Sequence, residues 1–578
     1  MGPLRFKGKD NVSIVLAGEA GQGIQTVDYI LTRVLKRSGY HVFSTKEFMS
    51  RIRGGVNSTE IRVSSHSVAS FLDRIDILVP FTRTAITRLE NRLSPETIIL
   101  TEKDSLLEEG KRGKGTLIDV PFSKIASVVG SKIYANIVGV GLLSGFFRVN
   151  PEIVDNFLRD YFARKSKDIV QKNIEAARKG YDIGKEFLAS GKIDIDIRVD
   201  EKTKDGIILT GAEAVALGAI AGGCNFVSFY PMSPATSVAV FLAQHGKEFG
   251  LLVEQAEDEI SAINMAIGAW YAGARAMAST SGGGFALMVE GLSLAGAMEM
   301  PIVIHIGQRP GPATGLPTRT EQGDLDFVLK AGHGEFPRII LAPGSLEDTF
   351  YLTQKAFNIA DKYQIPVFVL TDQYLLDSSY QLPSLDLSGL KVEKRIIKTD
   401  KGYKRYRITE DGISPRGVPG FGDGLVVVDS DEHDEEGHIT EDSDVRIKMV
   451  EKRLRKLNLI KEDTISPELI GGNNYTTLIL GWGSTRAAIK EALSLLARED
   501  VSFLHFRQVY PLSSSVVEYL RKAKRCIVVE NNATSQFGNL VEHFSGCEIR
   551  KRILKYNGLP FSVEEILKGV KELLEKEE

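Results

Sequence analysis

Cysteine is scarce in this 578-residue chain, which contains only Cys224, Cys526 and Cys547. The three are far apart and form no CxxC pair, so the chain lacks the four thiolates that an iron–sulfur cluster requires. Few and unpaired cysteines are also typical of a reducing compartment rather than of a disulfide-linked secreted protein. The sequence therefore predicts a chain that cannot hold a four-cysteine iron–sulfur cluster by itself.

An excess of charge and long apolar runs are also lacking. The 72 Lys and Arg residues balance 75 Asp and Glu residues, for a net charge of -3, which argues against nucleic acid or an anionic membrane as a partner. No segment reaches the roughly 20 apolar residues that span a bilayer, and the first residues lack the apolar stretch of a signal peptide. We therefore predict a cytoplasmic protein with neither nucleic acid nor membrane as a partner.

Alternating helix and strand patterns are what the chain does contain. Its length suffices for three or four domains of about 100–200 residues each. The first part starts with a strand, a glycine-rich turn and a helical pattern, and from about residue 205 strands and helices alternate, which favours a mostly parallel sheet covered by helices. Between about residues 384 and 473 the pattern breaks, and nine of the sixteen residues 429–444 are acidic. The last part again alternates, so the sequence predicts a multidomain α/β protein.

A glycine-rich turn follows the first predicted strand and precedes a helix. Its glycines are spaced as GxxGxG rather than GxGxxG, at Gly18, Gly21 and Gly23. Free N–H groups and the helix dipole favour an anion there. A dinucleotide site, with Glu47 as the acid after the next strand, and a tight turn without a ligand both stay open. Arg51 and Arg53 add two guanidinium groups that suit an anion or a protein interface, with a solvated hairpin turn as the alternative.

Four further segments place glycines, carboxylates and cations after predicted strands. They are Tyr230-Pro-Met-Ser-Pro-Ala-Thr, Val253-Glu-Gln-Ala-Glu-Asp-Glu-Ile, Ala278-Ser-Thr-Ser-Gly-Gly-Gly-Phe and Arg309-Pro-Gly-Pro-Ala-Thr-Gly-Leu-Pro-Thr-Arg. Consecutive glycines let a backbone approach a flat ring closely. A Pro/Gly-rich loop that holds cations has little reason to exist as packing. Taken singly, the first three segments are also compatible with an ordinary loop, a helix start with dipole-stabilising acids, and a strand-to-helix turn.

Together these segments resemble the α subunit of 2-oxoacid:ferredoxin oxidoreductases, and the first part of the chain resembles that family's γ part. The first segment is similar to the family's Tyr-Pro-Ile-Thr-Pro, except that Ser233 stands where the family has Thr. Serine lacks the methyl group that restricts the rotamer of threonine, so the fit to the substrate is expected to differ. The resemblance implies a γ-type α/β domain at 1–195, a thiamine-diphosphate pyrimidine-binding parallel-sheet domain at 196–385, a connecting segment with an acidic loop at 386–472, and a transketolase C-terminal-like α/β domain at 473–578.

The resemblance also implies which residues bind the cofactor. Thiamine-diphosphate chemistry requires a carboxyl group against the aminopyrimidine, and alignment of Glu-Ile-Ser-Ala with the family pattern selects Glu259 as the catalytic residue. Glu257 remains the alternative. The expected cofactor-binding residues are Tyr230, Pro231, Glu259, Ser281, Gly282 and Gly283.

The remaining expected site residues bind the co-substrates. Arg309, Thr318 and the hydroxyl group of Ser233 are expected to hold the carboxylate of the 2-oxoacid, and we count Arg309 and Ser233 as catalytic. Arg319 is the rival clamp. The loop that contains Gly18, Gly21 and Gly23, together with Arg51 and Arg53, is expected to face coenzyme A or a partner chain.

A motif for the diphosphate end of the cofactor is missing. Gly422-Asp-Gly is similar to the start of the magnesium motif of thiamine-diphosphate enzymes, but Glu451 stands where its paired Asn is expected. We therefore predict no metal site in this chain, and an ordered or interface-facing role for its acidic loop. The resemblance implies a β subunit that carries Mg²⁺, the diphosphate half of the shared cofactor and a [4Fe-4S] cluster. The assembly would be a heterodimer or a dimer of heterodimers.

The implied reaction converts a 2-oxoacid, coenzyme A and two oxidised ferredoxins to acyl-coenzyme A, CO₂ and two reduced ferredoxins. A fused γ–α order is closer to the 2-oxoglutarate type than to the pyruvate type, and a pyruvate or broad-specificity 2-oxoacid enzyme is the alternative. Two other classes stay open at this point. They are a non-redox thiamine enzyme of the transketolase type and a non-catalytic nucleotide-binding subunit.

Overall fold

The computed structural model describes residues 4–5, 9–49, 55–102 and 114–575. The described chain divides into two compact units. The N-terminal unit contains residues 1–209, 378–385 and 562–564, and the large unit contains 210–377, 386–561 and 565–578. The finer division into four regions stays a prediction. In the described part of the chain, no helix combines the length and apolarity that crossing a membrane requires.

The N-terminal unit is built on a mixed eight-stranded sheet. In spatial order its strands are Thr116–Asp119, Ile98–Thr101, Ile77–Pro80, Asn11–Glu19, Val56–Ser64, His41–Glu47, Ser379–Leu382 and Ile207–Thr210. The first four strands are parallel to one another, whereas Val56–Ser64 runs antiparallel to both of its neighbours. Leu4–Arg5 and Ile193–Asp194 form a separate parallel pair.

Helices cover the sheet of the N-terminal unit. They are Ile24–Arg37, Arg83–Leu89, Phe122–Val129, Ala135–Phe146, Pro151–Tyr161 and Lys167–Ala189, with short 3₁₀ turns at Glu90–Arg92, Lys132–Tyr134 and Glu201–Asp205. Two of these helices pack with their backbones in contact, because a Cβ atom on Gly141 would overlap the carbonyl of Ala177, and one on Gly180 would overlap that of Val138. Only glycine allows so close an approach.

The large unit contains two sheets that share one apolar core. The seven-stranded sheet has the order Leu252–Gln255, Phe226–Phe229, Ala276–Thr280, Ile302–Gln308, Pro366–Asp372, Ile339–Leu341 and Gln508–Tyr510, of which only the last strand is antiparallel to its neighbour. The five-stranded sheet has the order Glu468–Ile470, Val501–Phe506, Thr477–Trp482, Arg525–Glu530 and Lys551–Leu554, and only its first strand is antiparallel. The predicted α/β class with parallel sheets is confirmed.

Helices connect the strands of the large unit. The ones that belong to the seven-stranded sheet are Gly211–Ala221, Thr236–Phe249, Glu259–Tyr271, Gly282–Phe285, Val289–Ala297, Leu325–Lys330, Leu346–Tyr363 and Gln373–Asp377, with a 3₁₀ turn at Ala286–Met288. The remaining helices are Ser443–Glu462, Thr485–Leu496, Val516–Lys522, Gln536–Ser545 and Val563–Glu575.

The irregular segment before the helix Ser443–Glu462 is held to the large unit by a buried ion triad. Asp361 accepts hydrogen bonds from Arg275 Nη1 at 3.2 Å and from Arg416 Nη2 at 2.6 Å. The three side chains are almost completely excluded from solvent. Loss of the carboxylate would leave two guanidinium groups buried without their counter-charge, which is far more costly than loss of a surface pair.

A second buried ion cluster fixes the helix Ser443–Glu462 itself. Lys452 and Lys456 contact the two carboxylate oxygens of Glu299 at 2.5 and 2.6 Å. Burial alone would raise the pKa of Glu299, but the two ammonium groups outweigh burial and hold that pKa well below its usual range. Both clusters join segments that lie about 50 to 150 residues apart in sequence, so they fix the tertiary fold rather than local structure.

Candidate active site

Three loops meet at one edge of the seven-stranded sheet. The strands Phe226–Phe229, Ala276–Thr280 and Ile302–Gln308 are adjacent and parallel, so their carboxyl ends lie on the same edge. Open parallel sheets bind their ligands at this edge. The loops that leave these strands contain three of the four segments singled out in the sequence, and the fourth begins the helix Glu259–Tyr271 next to them.

The first loop runs from Tyr230 to the helix Thr236–Phe249. Tyr230 is 39% exposed and the side chain of Ser233 is also accessible to solvent. The carbonyl oxygen of Ser233 accepts a hydrogen bond of 2.7 Å from Nη1 of Arg309. This bond ties the first loop to the third one and leaves the Ser233 hydroxyl group at the accessible side.

Glu259 is the first residue of its helix and is only 4% exposed. The helix starts here because Asp258 caps it, with a side-chain oxygen that accepts a 2.7 Å hydrogen bond from the N–H of Ser261. Burial raises the pKa of Glu259, the neighbouring Asp258 carboxylate acts in the same direction, and the Arg309 guanidinium opposes both. Glu257, the alternative, is exposed. Of the two candidates, only Glu259 is the buried carboxyl group that the predicted role requires.

The glycine segment brings the backbone against two carboxyl groups. A Cβ atom on Gly284 would overlap Thr280 Oγ1 and lie 2.5 Å from Glu259 Oε1. A Cβ atom on Gly282 would overlap both carboxyl oxygens of Asp324. The backbone at these positions is an ordinary helical turn, so the glycines are required for close approach rather than for an unusual φ.

Ser281 is the last residue before that turn. It is completely buried, and its Oγ has no hydrogen-bond partner among the described residues. A buried hydroxyl group without a partner is rare in native proteins and often marks the position of a missing ligand or water. Ser281, Gly282 and Gly283 therefore form a polar, close-fitting wall beside Glu259.

Arg309 follows the strand Ile302–Gln308 and is 8% exposed. Its Nη1 is used by Ser233, but its Nε is buried and makes no hydrogen bond within the described part of the chain. Burial lowers the pKa of Arg309, and the carboxyl groups of Asp324 and Glu259 oppose that shift. An arginine remains charged in proteins, so the site contains a fixed cation with an unused edge of its guanidinium group.

The third loop is folded back on itself and separates Arg309 from Arg319. Gly315 has φ +53°, and the N–H of Leu316 donates to the carbonyl of Pro310 at 3.0 Å. Thr318 is partly buried further along this loop. Arg319 packs on the turn at Gly558. A Cβ atom added to Gly558 would lie 3.2 Å from the Cβ atom of Arg319. The two arginines of the loop therefore have different surroundings, and Arg309 is electrostatically coupled to Glu259.

Asp324 belongs to this site, although the sequence analysis did not single it out. Its N–H donates to Gln308 Oε1 at 3.1 Å, and its Oδ2 is buried without a hydrogen-bond partner in the described structure. Burial raises the pKa of Asp324 to about 7, Glu321 acts in the same direction and Arg309 opposes. The residue lies in an irregular stretch before a short helix, where no periodic pattern indicates which side chains face inward.

A buried histidine lies on the middle strand below the site. His305 Nδ1 and Nε2 are each 2.9 Å from a hydroxyl oxygen, that of Ser279 on one side and that of Thr371 on the other. Burial lowers the pKa of His305 to about 3. The imidazole is therefore neutral at physiological pH, and it serves as a polar link between three strands rather than as an acid or base.

Comparison with known proteins identifies the family. Residues 217–452 match the family described as "Pyruvate flavodoxin/ferredoxin oxidoreductase, thiamine diP-bdg", and residues 13–183 match "Pyruvate ferredoxin/flavodoxin oxidoreductase". The chain is 34% identical to the 2-oxoacid:ferredoxin oxidoreductase subunit alpha of a Sulfolobus species over 96% of both chains. The chain belongs to the 2-oxoacid:ferredoxin oxidoreductase α-subunit family. The predicted family, enzyme class and thiamine-binding domain are confirmed.

Two further relatives bear on the branch of the family. The chain is 35% identical to the 2-oxoglutarate synthase subunit KorA of Archaeoglobus fulgidus, over 63% of this chain and 98% of that protein. It also superposes with a TM-score of 0.89 and 33% identity on the 2-oxoglutarate:ferredoxin oxidoreductase of Magnetococcus marinus, a structure with 2-oxoglutarate, coenzyme A and succinyl-CoA bound. That match covers 98% of this chain and 99% of the other. As an α subunit, the chain is part of a multisubunit complex.

The glycine loop of the N-terminal unit adopts the predicted strand–turn–helix geometry. Gly23 has φ +73° and precedes the helix Ile24–Arg37, and the side chain of Gln22 folds back to accept a 2.7 Å hydrogen bond from the N–H of Glu19. Asn136 Nδ2 donates to the carbonyl of Gln22 at 2.7 Å. Apart from its chain neighbours, none of the described residues has a heavy atom within 4 Å of a Cβ atom built on Gly21, so this part of the loop is open with respect to the described chain.

Two features beside this loop concern its predicted role. A cavity of about 120 Å³ is lined by residues that include Leu16, Val27, Thr101 and Asn136, and Thr101 Oγ1 is buried there without a partner among the described residues. A Cβ atom added to Gly18 would overlap the side chain of Gln22. Arg51 and Arg53, which were predicted to act with the loop, lie outside the described residues.

The connecting segment contains a turn and an acidic loop. Gly422 has φ +120° and packs on the backbone of Thr399, so Gly422-Asp-Gly is part of a tight packing contact. The acidic loop brings ligand atoms of Asp434, Glu436 and His438 within 4.8 Å of one another. The latter two are exposed, as solvated charges commonly are without a metal ion.

Proposed function

We propose that this chain provides the aminopyrimidine-binding and oxoacid-binding parts of a coenzyme A-dependent 2-oxoacid:ferredoxin oxidoreductase. The observation that carries the proposal is the buried carboxyl group of Glu259, which lies against the backbone of Gly284 and is electrostatically coupled to Arg309. Ser281, whose buried hydroxyl group has no hydrogen-bond partner among the described residues, and the exposed ring of Tyr230 offer the polar and aromatic groups that would suit an aminopyrimidine. The residues present therefore fit the pyrimidine half of thiamine diphosphate.

Glu259 would act as the residue that controls the tautomer of the cofactor. Thiamine diphosphate supplies, when bound, a thiazolium carbon that can be deprotonated, can add to a ketone and can accept the electron pair left when CO₂ departs. A carboxyl group whose pKa is raised by burial binds a proton more readily than an exposed one, which suits proton exchange with a ring nitrogen. Because glycine has no side chain, the backbone of this turn would let the flat ring approach it closely.

Arg309 would bind the carboxylate of the oxoacid. Nη1 donates to the carbonyl oxygen of Ser233, whereas Nε is buried and has no hydrogen-bond partner among the described residues. A guanidinium edge donates two parallel hydrogen bonds to a carboxylate, and this charge-assisted pair is about twice as strong as a neutral one. The hydroxyl groups of Ser233 and Thr318 are proposed to complete the carboxylate site.

A β subunit would supply what this chain does not provide. The chain has three cysteines, one fewer than a four-cysteine cluster requires. We therefore assign the [4Fe-4S] cluster, Mg²⁺ and the diphosphate half of the cofactor to the β subunit, and the final electron transfer to ferredoxin. A heterodimer or a dimer of heterodimers follows from this division of the cofactor.

The substrate is proposed to be 2-oxoglutarate. A 2-oxoacid, coenzyme A and two oxidised ferredoxins would give acyl-coenzyme A, CO₂, a proton and two reduced ferredoxins. The relatives that are named for 2-oxoglutarate, and the Magnetococcus marinus structure that contains 2-oxoglutarate, coenzyme A and succinyl-CoA, favour this substrate. Pyruvate or several 2-oxoacids are the alternative. The open glycine loop at Gly21 is proposed to contact coenzyme A or the β subunit.

The test is turnover of the chain co-produced with a β subunit that has four cysteines and Gly-Asp-Gly…Asn. Oxoacid-dependent reduction of ferredoxin should require coenzyme A, and kcat/KM should be higher for 2-oxoglutarate than for pyruvate. Higher kcat/KM for pyruvate would move the chain to the pyruvate type. Ketol transfer without ferredoxin reduction would contradict the proposed redox function and favour a transketolase-type enzyme.

A further inference from the structure

Asp324 forms part of the wall of the candidate active site without a role in the proposed chemistry. Its carboxyl group lies against the backbone of Gly282, its N–H is fixed by Gln308, and one of its oxygens is buried without a hydrogen-bond partner in the described structure. A buried carboxylate with an oxygen that lacks a hydrogen bond is destabilised unless a cation or a proton compensates its charge.

The charges around Asp324 come from three elements. Glu321 lies on the same loop, Arg309 follows the strand Ile302–Gln308, and Glu259 begins a helix on the other side of the glycine turn. Arg309 is therefore coupled to two carboxyl groups, those of Asp324 and Glu259, and Glu321 is coupled to Asp324. A 2-oxoacid would bring a further negative charge to that same cation, which already has Asp324 and Glu259 as electrostatic partners.

We propose that Asp324 is a positioning residue that balances the charge of Arg309 and takes up one proton from solvent when the carboxylate of a 2-oxoacid binds to that guanidinium group. The inference rests on the proposed function and adds to it a charge-exchange role for a residue outside the four predicted segments. Protonation does not change the shape of the Asp324 side chain. The guanidinium group of Arg309 therefore stays in place while the substrate carboxylate replaces the Asp324 carboxylate as its counter-charge.

The direction of the pH dependence follows from this exchange. Burial raises the pKa of Asp324 to about 7 before a substrate is present, and a bound carboxylate raises that pKa further because like charges disfavour ionisation. Below about pH 7, Asp324 is already protonated before the oxoacid binds. Above that pH, Asp324 must take up a proton from solvent on binding, and the proton concentration falls tenfold with each pH unit. Oxoacid affinity should therefore fall about tenfold per pH unit above pH 7, until the pKa of the substrate complex is reached.

The pH profile of the complete α–β complex tests the proposal. In wild type, kcat/KM for 2-oxoglutarate should fall above pH 7 through a rise in KM. The isosteric variant Asp324→Asn should have a KM that is independent of pH between 6 and 9. Glu321→Gln should keep the wild-type slope but move its onset to lower pH, because Glu321 raises the pKa of Asp324. A purely structural role would lower kcat or stability in Asp324→Asn and leave the slope unchanged, which would overturn the proposal.

Calorimetry provides a second readout that does not depend on the variant. Glutarate, which has both carboxylates but no ketone to react, is titrated into the wild-type complex at pH 8 in buffers of different ionisation enthalpy. Uptake of close to one proton per glutarate is expected, and uptake of none would overturn the proposal. If the wild-type complex turns over no 2-oxoacid at any pH, the proposed function itself fails, whereas turnover with a pH-independent KM overturns only the role of Asp324.

Discussion

Replacing Glu259 by glutamine should separate cofactor activation from cofactor binding. The side chain is 4% exposed and touches the glycine turn, so the isosteric amide fills the same space. Burial disfavours the charged carboxylate, and a neutral amide therefore costs little folding stability at this position. What is lost is the proton exchange with the cofactor ring. A loss of general acid–base catalysis slows turnover by about 10²-fold or more, and 10² corresponds to about 2.7 kcal/mol in the activation free energy.

Exchange of the thiazolium C2 proton for deuterium in the bound cofactor is the direct assay. Glu259→Gln in the α–β complex should retain thiamine diphosphate and thermal stability, but should exchange that proton about 10²-fold more slowly than wild type. Glu257→Gln is the matched control, because Glu257 lies two residues away and is exposed. Wild-type exchange in Glu259→Gln combined with slow exchange in Glu257→Gln would refute the reasoning and assign the role to Glu257.

Three further outcomes are expected. Arg309→Ala should raise KM for the oxoacid by about tenfold or more. Arg309→Lys should raise KM less than Arg309→Ala but still above the wild-type value, because lysine lacks the planar fork of arginine. A larger rise of KM in Arg319→Ala than in Arg309→Ala would assign the carboxylate site to Arg319. The α chain purified without a partner should be colourless and inactive, so a brown, active preparation of this polypeptide alone would contradict the division of cofactors. Asp361→Asn should destabilise the large unit by about 3 kcal/mol, since it leaves buried arginines without their counter-charge, whereas Glu441→Gln at an exposed position should leave the melting temperature unchanged.

The regular part of the fold could be predicted because its signals are local. Period-2 and period-3.6 apolar patterns predicted the alternating strands and helices from about residue 205, and these form the parallel sheet. The antiparallel strand Gln508–Tyr510, which pairs with Ile339–Leu341, could not be predicted in this way. Pairing between segments so far apart depends on the tertiary fold, and the strand is too short to have a periodic pattern.

The candidate site was predictable where a short motif contains the functional residue. Glu259 and Arg309 were predicted as site residues from their segments, and the structure brings them together at one sheet edge. Asp324 was not identified, because its position in the site depends on how an irregular loop folds back over Gly282. The same limit applies to the buried triad around Asp361, since a charged residue in a helix is by default expected on the surface. Tertiary contacts, rather than local pattern, decide which acids are buried.

Anaerobic single turnover of the α–β complex tests the central claim most directly. The complex is mixed with 2-oxoglutarate in the absence of ferredoxin, and reduction of the cluster is followed by the loss of its visible absorbance. Wild type should reduce the cluster rapidly, and Arg309→Ala should do so only at much higher oxoacid concentration. Glu259→Gln with full cofactor and cluster content should be slower by about 10²-fold or more. Equal rates in wild type and Glu259→Gln would contradict the claim that this chain activates the cofactor.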